Sequence, residues 1–222
     1  MPETVQHGTW LLIDAAGPLL VTGLVRNGRW MEMRTSREGF LEHLRADIET
    51  LLGKAGLSVS DLDGCLYAAG PGSTLGLRLA AMFLKGLMEL PALAHWRCLS
   101  YNNLCLACAG FLDPDRPEAC TLLAPWRGDR FHRVDYQPSD GAFSLSFVDT
   151  NTLADLSLRF VALGNRGPRL PREVHSIPYP ANRIPEILAA HPDLLVRSET
   201  PSLYTAETTE FARWNAERHT AQ

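Results

Sequence analysis

The chain has 222 residues, 45% of them hydrophobic, and its 21 Lys and Arg against 25 Asp and Glu give a formal net charge of −4. That length can bury a substantial core as one large domain or two small ones. The acidic balance disfavours a chain that grips nucleic acid unaided, because neutralising phosphates takes clustered Lys and Arg.

Thr9 to Ile13 reads as a short apolar strand that ends at Asp14. Leu19–Val25 and Arg29–Thr35 read as two more strands, joined through Arg26-Asn27-Gly28. Asn-Gly is the strongest short hairpin signal, since both residues tolerate positive φ, so the chain is expected to open with a three-stranded meander. A helix over Arg37–Lys54 follows, with Phe40, Leu41, Leu44, Ile48, Leu51 and Leu52 inside one sector of about 120°. Gly53 and Gly56 stop it. Cys65–Ala69 is a short strand that runs into Gly70-Pro71-Gly72-Ser73-Thr74-Leu75-Gly76. The helix expected next, Leu75–Leu90, is apolar almost all round. Its only charges are Arg78, Lys85 and Glu89, which fall within about 40° of one another on a helical wheel. One sheet face cannot cover an apolar arc of about 300°. The second cover is either the helix expected over Ser100–Gly110 or another chain.

A third unit is read as a strand over Ala92–Cys98 followed by that helix. Asp113-Pro114-Asp115-Arg116-Pro117 is the best candidate linker and divides the chain into lobes at 1–112 and 113–222. Beyond it, strands are expected at Cys120–Ala124, Arg130–Tyr136, Phe143–Val148 and Arg159–Leu163, then a helix at Arg183–Ala190 and a polar tail, Ala206–Gln222. No sequence repeat is visible. Both halves nonetheless run strands first and helices later, which fits two related α/β lobes. No run of about 18 apolar residues occurs, so no membrane span is expected. Met1–His7 lacks a basic segment followed by an apolar one, which points to a cytoplasmic protein.

Chemistry-bearing residues are few. Five cysteines in such a chain read as free thiols. The lone Cys105-x-x-Cys108 has no second pair at zinc spacing and reads as buried helix. The seven histidines form no H-x-x-x-H or H-E-x-x-H pattern, so no histidine metal site is expected. Asp14 precedes Ala15-Ala16-Gly17-Pro18. It is either an ordinary turn aspartate or a magnesium-phosphate ligand in a turn that lacks hydroxyls and, at Pro18, an N–H. Gly70, Gly72 and Ser73 could receive an anion on backbone N–H groups, or could simply let strand and helix pack closely. Ser73 reads as an N-cap. Arg127-Gly128-Asp129-Arg130 reads as a turn or a lobe-to-lobe contact. The arginines at 127, 130 and 133, and at 166, 169 and 172, read as solvated faces.

These residues, in this order, resemble the TsaB (YeaZ) family, sequences also described as glycoprotease-like or peptidase M22. The resemblance is carried by Leu12-Ile13-Asp14, by Ala55 to Asp63, by G-P-G-S-x-x-G-L-R at Gly70 to Arg78, by Lys85-Gly86-Leu87, by Ser100 to Leu104, by Trp126 to Asp129 and by Pro201-Ser202-Leu203-Tyr204. It implies a two-lobed α/β fold of the actin/hexokinase (ASKHA) type, with a mixed sheet and flanking helices in each lobe. It implies a non-catalytic scaffold that pairs with a TsaD-like catalytic subunit, with a TsaE-like ATPase in the same assembly, for threonylcarbamoyladenosine formation on tRNA. The tRNA would be reached only through the complex. Docking would use the first lobe's helices; here Leu79, Met82, Phe83, Gly86 and Leu87 would carry association, with Arg78 and Lys85 setting register and Phe83→Asp abolishing it. No cofactor is expected beyond residual ATP and magnesium at Asp14, Gly70, Gly72 and Ser73. Two alternatives stand beside this: a nucleotide-dependent enzyme that uses those same residues, and a homodimer paired through the same helix. The chain departs from the family where Asp14-Ala15-Ala16 replaces Asp-Thr-Ser, where Thr74-Leu75 replaces Phe-Thr, and at Phe40, where histidine is frequent.

Overall fold

The computed structural model describes residues 5, 7–17, 19–37, 40–115, 117–126, 130–152, 159–161 and 175–202. The expected meander forms from β1 (Thr9–Asp14), β2 (Leu20–Arg26) and β3 (Arg29–Ser36). Asn27 at φ 52° and Gly28 at φ 68° make its turn, the conformation for which Asn-Gly is suited. Helix α1 (Phe40–Ala55) leads to β4 (Gly64–Gly70), α2 (Thr74–Met88), β5 (Arg97–Asn102) and α3 (Asn103–Phe111). Then come β6 (Cys120–Pro125), β7 (Arg130–Gln137), β8 (Ala142–Asp149), β9 (Arg159–Val161), β10 (His175–Ile177), α4 (Ile184–Ala190) and β11 (Leu195–Ser198).

The strands make two mixed sheets, ordered β11-β5-β4-β1-β2-β3 and β10-β9-β6-β7-β8. In each, three consecutive strands form an antiparallel meander, and the next two add in parallel beside its first strand. The halves therefore repeat a strand topology that their residues do not repeat. β11 then returns to pair antiparallel with β5 and becomes the edge of the first sheet.

The first sheet is buried on both faces, which is why β1 and β4 read as continuous apolar runs rather than alternating ones. Leu11, Ile13, Cys65 and Tyr67 face α1 and α2 in one core cluster. Trp10, Leu12, Leu66 and Ala68 face the other way, into a cluster shared with α3, α4 and the second sheet. α3 packs on β4 and β5 and also on β6 and β7. That placement between the sheets explains why its residues from Asn103 to Ala109 are all buried, and it makes Cys105 and Cys108 core thiols. Burial pushes the Cys105 thiol up to about 12, and none of the five cysteines is in a disulfide.

Four expectations shift. The strand placed at 92–98 is displaced: Pro91–Leu93 is a short 3-10 turn that Pro91 opens, a position where its missing N–H costs nothing. Ser100 and Tyr101, read as helix, belong to β5, because Asn102 is the cap, its Oδ1 accepting from the N–H groups of Leu104 and Cys105 at 3.0 and 3.2 Å. α3 therefore does not cover α2, since the two helices lie against opposite faces of the first sheet. The short strands β10 and β11 were not anticipated. The tail from Ala206, the triplet 127–129 and the arginines at 166, 169 and 172 lie outside the described residues.

Candidate functional site

Two places concentrate the residues singled out by sequence: the outer face of α2, and the loops around Asp14. α2 begins after Ser73, whose Oγ accepts from Gly76 N–H at 3.2 Å, so the N-cap reading of Ser73 holds. Leu77, Ala80, Ala81 and Leu84 point inward and are buried. Opposite them Leu75 is 69% exposed and Met82 71%. Leu90, just past the helix, is 47% exposed. Gly86 lies on the same outward stripe, and a Cβ there would meet nothing within 4 Å, so another backbone could approach closely. Leu79 is half-buried beside the stripe, as are Phe83 and Leu87, which also pack against the chain's own core. Arg78 and Lys85 are exposed, with Glu89 on the same flank of the stripe. The structure thus brings together all seven sequence candidates on this helix and separates them into an exposed centre and a half-buried margin. Leu75 was missed, although the seven-residue step to Met82 places the two on one face, and Leu90, past the helix end, was missed as well.

Asp14 has a different environment. Its side chain is buried, and four donor groups of the same chain converge on the carboxylate. Oδ1 accepts from Ala16 N–H at 3.0 Å, and Oδ2 accepts from the Tyr101 hydroxyl at 2.8 Å. Asn103 Nδ2 donates to both oxygens, at 3.3 and 3.1 Å. The Tyr179 hydroxyl donates to Oδ2. The direction of the network follows from one bond: Gly70 N–H donates to Asn103 Oδ1 at 3.1 Å, which turns the Asn103 amine toward Asp14 and toward the Tyr179 oxygen at 3.0 Å. Desolvation raises the Asp14 pKa above its ordinary value, opposed by the bonds from Tyr179, Ala16, Tyr101 and Asn103. Tyr101 and Tyr179 are raised too, chiefly by burial and then by the carboxylate.

The glycine loop packs down on this turn. Ser73 N–H donates to Ala16 C=O at 2.9 Å. A Cβ on Gly72 would come within 2.4 Å of that same oxygen, and one on Gly76 within 2.6 Å of Ala15 C=O. Gly72 and Gly76 therefore permit close approach of two backbones, and the N–H groups of Gly70, Ser73 and Gly76 are spent inside the chain. A magnesium nucleotide does not fit these residues: the carboxylate is saturated by donors, Ala15 and Ala16 offer no hydroxyl, and no cluster of three metal-ligating side chains occurs among the described residues.

In the second sheet, the Trp126, His132 and Phe147 rings pack with centroids 4.8 to 5.6 Å apart, and the Arg130 guanidinium lies over Trp126 and Phe147 at 5.0 and 5.3 Å. Trp126 N–H donates to Arg130 C=O at 3.0 Å. Arg130 and Arg133 pair with Asp149 and Asp135.

By fold the chain is an α/β protein with mixed sheets. The family model for TsaD, the tRNA N6-adenosine threonylcarbamoyltransferase, matches residues 34–91, the span that holds α1, β4 and α2. Two solved structures share the fold. An uncharacterized protein with similarity to peptidase YeaZ, from Pseudomonas aeruginosa, superposes with a TM-score of 0.62 at 17% identity, over 90% of this chain and 99% of the other. YeaZ from Pseudomonas aeruginosa superposes with a TM-score of 0.62 at 19% identity, over 89% and 99%. No curated protein matches by sequence. The family match is confined to that stretch, and the two structures show a shared fold.

Proposed function

We propose that this chain is a non-catalytic, cytoplasmic scaffold of the YeaZ/TsaB type, which docks a TsaD-like threonylcarbamoyltransferase through the outer face of α2 and meets tRNA only through that complex. The observation that carries the reading is the apolar stripe of Leu75 and Met82, continued by Leu90 just past the helix end, exposed on a helix whose other face already fills the core. Each large side chain covered there would contribute about 1.5–3 kcal/mol. The same reading takes the repeated strand topology as two lobes of the actin/hexokinase type, divided near residue 112. It takes the closed Asp14 network as a reason for the chain to leave nucleotide chemistry to its partner. Among the described residues no helix is long and apolar enough to cross a membrane.

Met82→Asp tests the docking face more cleanly than Phe83→Asp, because Met82 is exposed whereas Phe83 also packs on the core. The variant is expected to keep the wild-type melting temperature and to stop co-eluting with a TsaD-like protein from the same organism. Undiminished co-elution contradicts the assignment of the face.

A further inference from the structure

We propose that Met82 is an oxidation-sensitive modification site: a peroxide converts its thioether to the sulfoxide, and the converted chain no longer docks through α2. This rests on the docking role given to α2 above and adds a chemical control to it. Met82 stands at the middle of the outward stripe and is 71% exposed. The chain has five methionines. The other three among the described residues, Met31, Met33 and Met88, are half-buried, and Met31 and Met88 pack against the core beneath α1 and α2. Access alone therefore selects Met82.

Leu75 and Leu90, the neighbours of Met82 along the stripe, have no atom that a mild oxidant attacks. The thioether sulfur does. Its lone pair attacks one oxygen of hydrogen peroxide, and an S–O bond forms as the O–O bond breaks. The departing hydroxide takes the proton from the transferred oxygen and leaves as water. Sulfur loses two electrons and the peroxide gains them. In the reverse direction a dithiol reduces the sulfoxide, which restores the thioether and yields a disulfide and water, so the mark is removable.

The position of the product gives it its effect. A flexible apolar side chain becomes a polar one with a strong acceptor oxygen, at the point where burial of apolar surface drives docking. Gly86, one turn further on, has open space above it, so a partner's backbone can close over this part of the helix and bury the oxygen. An acceptor buried without a donor costs free energy. On the free chain the same oxygen has exposed cations beside it, Arg78 four residues before and Lys85 three residues after, the spacings that are neighbours on a helix surface. They favour the sulfoxide in its solvated setting and raise the cost of covering it. Docking in turn covers the thioether, so oxidation acts on free chains and spares assembled ones.

Calorimetric titration of a TsaD-like subunit from the same organism with the full chain, before and after hydrogen peroxide, tests this, with peptide mass mapping to follow the gain of one oxygen at Met82. The expected result is an affinity that falls about ten- to hundredfold in step with that gain. It returns when methionine sulfoxide reductases and a dithiol remove the oxygen. The Met82→Leu chain is compared only with itself: its affinity is the same before and after peroxide, which assigns the effect to this sulfur rather than to the cysteines or the other methionines. Wild-type chain oxidised at Met82 that docks as well as untreated chain overturns the proposal. So does a loss that Met82→Leu shares, or one that persists after the oxygen is removed. Untreated Met82→Asp separates the two levels. If it docks like the wild type, the docking face itself is wrong and the control falls with it. If it fails to dock while oxidised wild type docks normally, only the control falls.

Discussion

Asp14 sits at the end of the first strand, where a metal-binding carboxylate would be sought, and its oxygens are already met by Ala16, Tyr101, Asn103 and Tyr179. Removing it would leave two hydroxyls and an amide buried without their acceptor, a penalty of roughly 1–3 kcal/mol for each unsatisfied group. Asp14→Ala is therefore expected to lose several kcal/mol of stability in urea titration, and a loss below about 1 kcal/mol would show the network to be incidental. The sequence singled out Asp14 but not its partners, since Tyr101, Asn103 and Tyr179 are distant along the chain and only the fold aims them at one point. His132 gives the clearest pH signature. Burial among the Trp126 and Phe147 rings lowers its pKa from 6.5 to about 4, so the native state prefers the neutral ring. Its contribution is full above the ordinary imidazole range and is lost as pH falls from 6.5 toward 4. Asp14 runs the other way: its raised value favours the native state at low pH and less so as pH climbs through it. In calorimetry His132→Phe should flatten the fall in melting temperature between pH 6.5 and 4; an unchanged slope would assign that fall to other groups.

At the scale of elements, each strand-loop-helix junction has a local reason. The loop from Gly70 to Gly76 is rich in glycine because Ala15 and Ala16 press their backbone oxygens against it. Gly72→Ala forces a Cβ toward a carbonyl that cannot rotate away, and is expected to lower stability by about 1–3 kcal/mol in thermal or urea unfolding. A neutral result would mean that the loop can lift off its neighbour. The hairpin at Asn27-Gly28 and the helices α1 and α2 were legible because turn chemistry and spacing are written locally. β10 and β11 were not: three and four residues without strong alternation acquire strand geometry from the sheet beside them. The Ser100 start of α3 failed for a related reason, since the cap two residues later, Asn102, is recognisable only once the bonds it accepts are seen. On α2, the sequence identified the surplus of apolar residues but treated Met82, Phe83 and Leu87 as equivalent. Phe83 and Leu87 stand about 100° and 140° from Met82 on the helical wheel, which leaves Met82 outward and tucks the other two along the core margin.

For the whole molecule, the repeated topology of two meanders, each extended by two parallel strands, explains how a chain with no internal sequence repeat presents two matched sheets around one helix buried from Asn103 to Ala109. That arrangement covers both faces of the first sheet and leaves α2 as its outer layer, with Leu75 and Met82 exposed. Docking through this layer is the central claim, and Met82 reports on it directly. Hydroxyl-radical footprinting, read by mass spectrometry with and without the TsaD-like subunit, measures how accessible its thioether is. The account predicts rapid oxidation of Met82 in the free chain and protection to near background in the complex. Equal oxidation in both states, in a sample where the complex is shown to have formed, would contradict it.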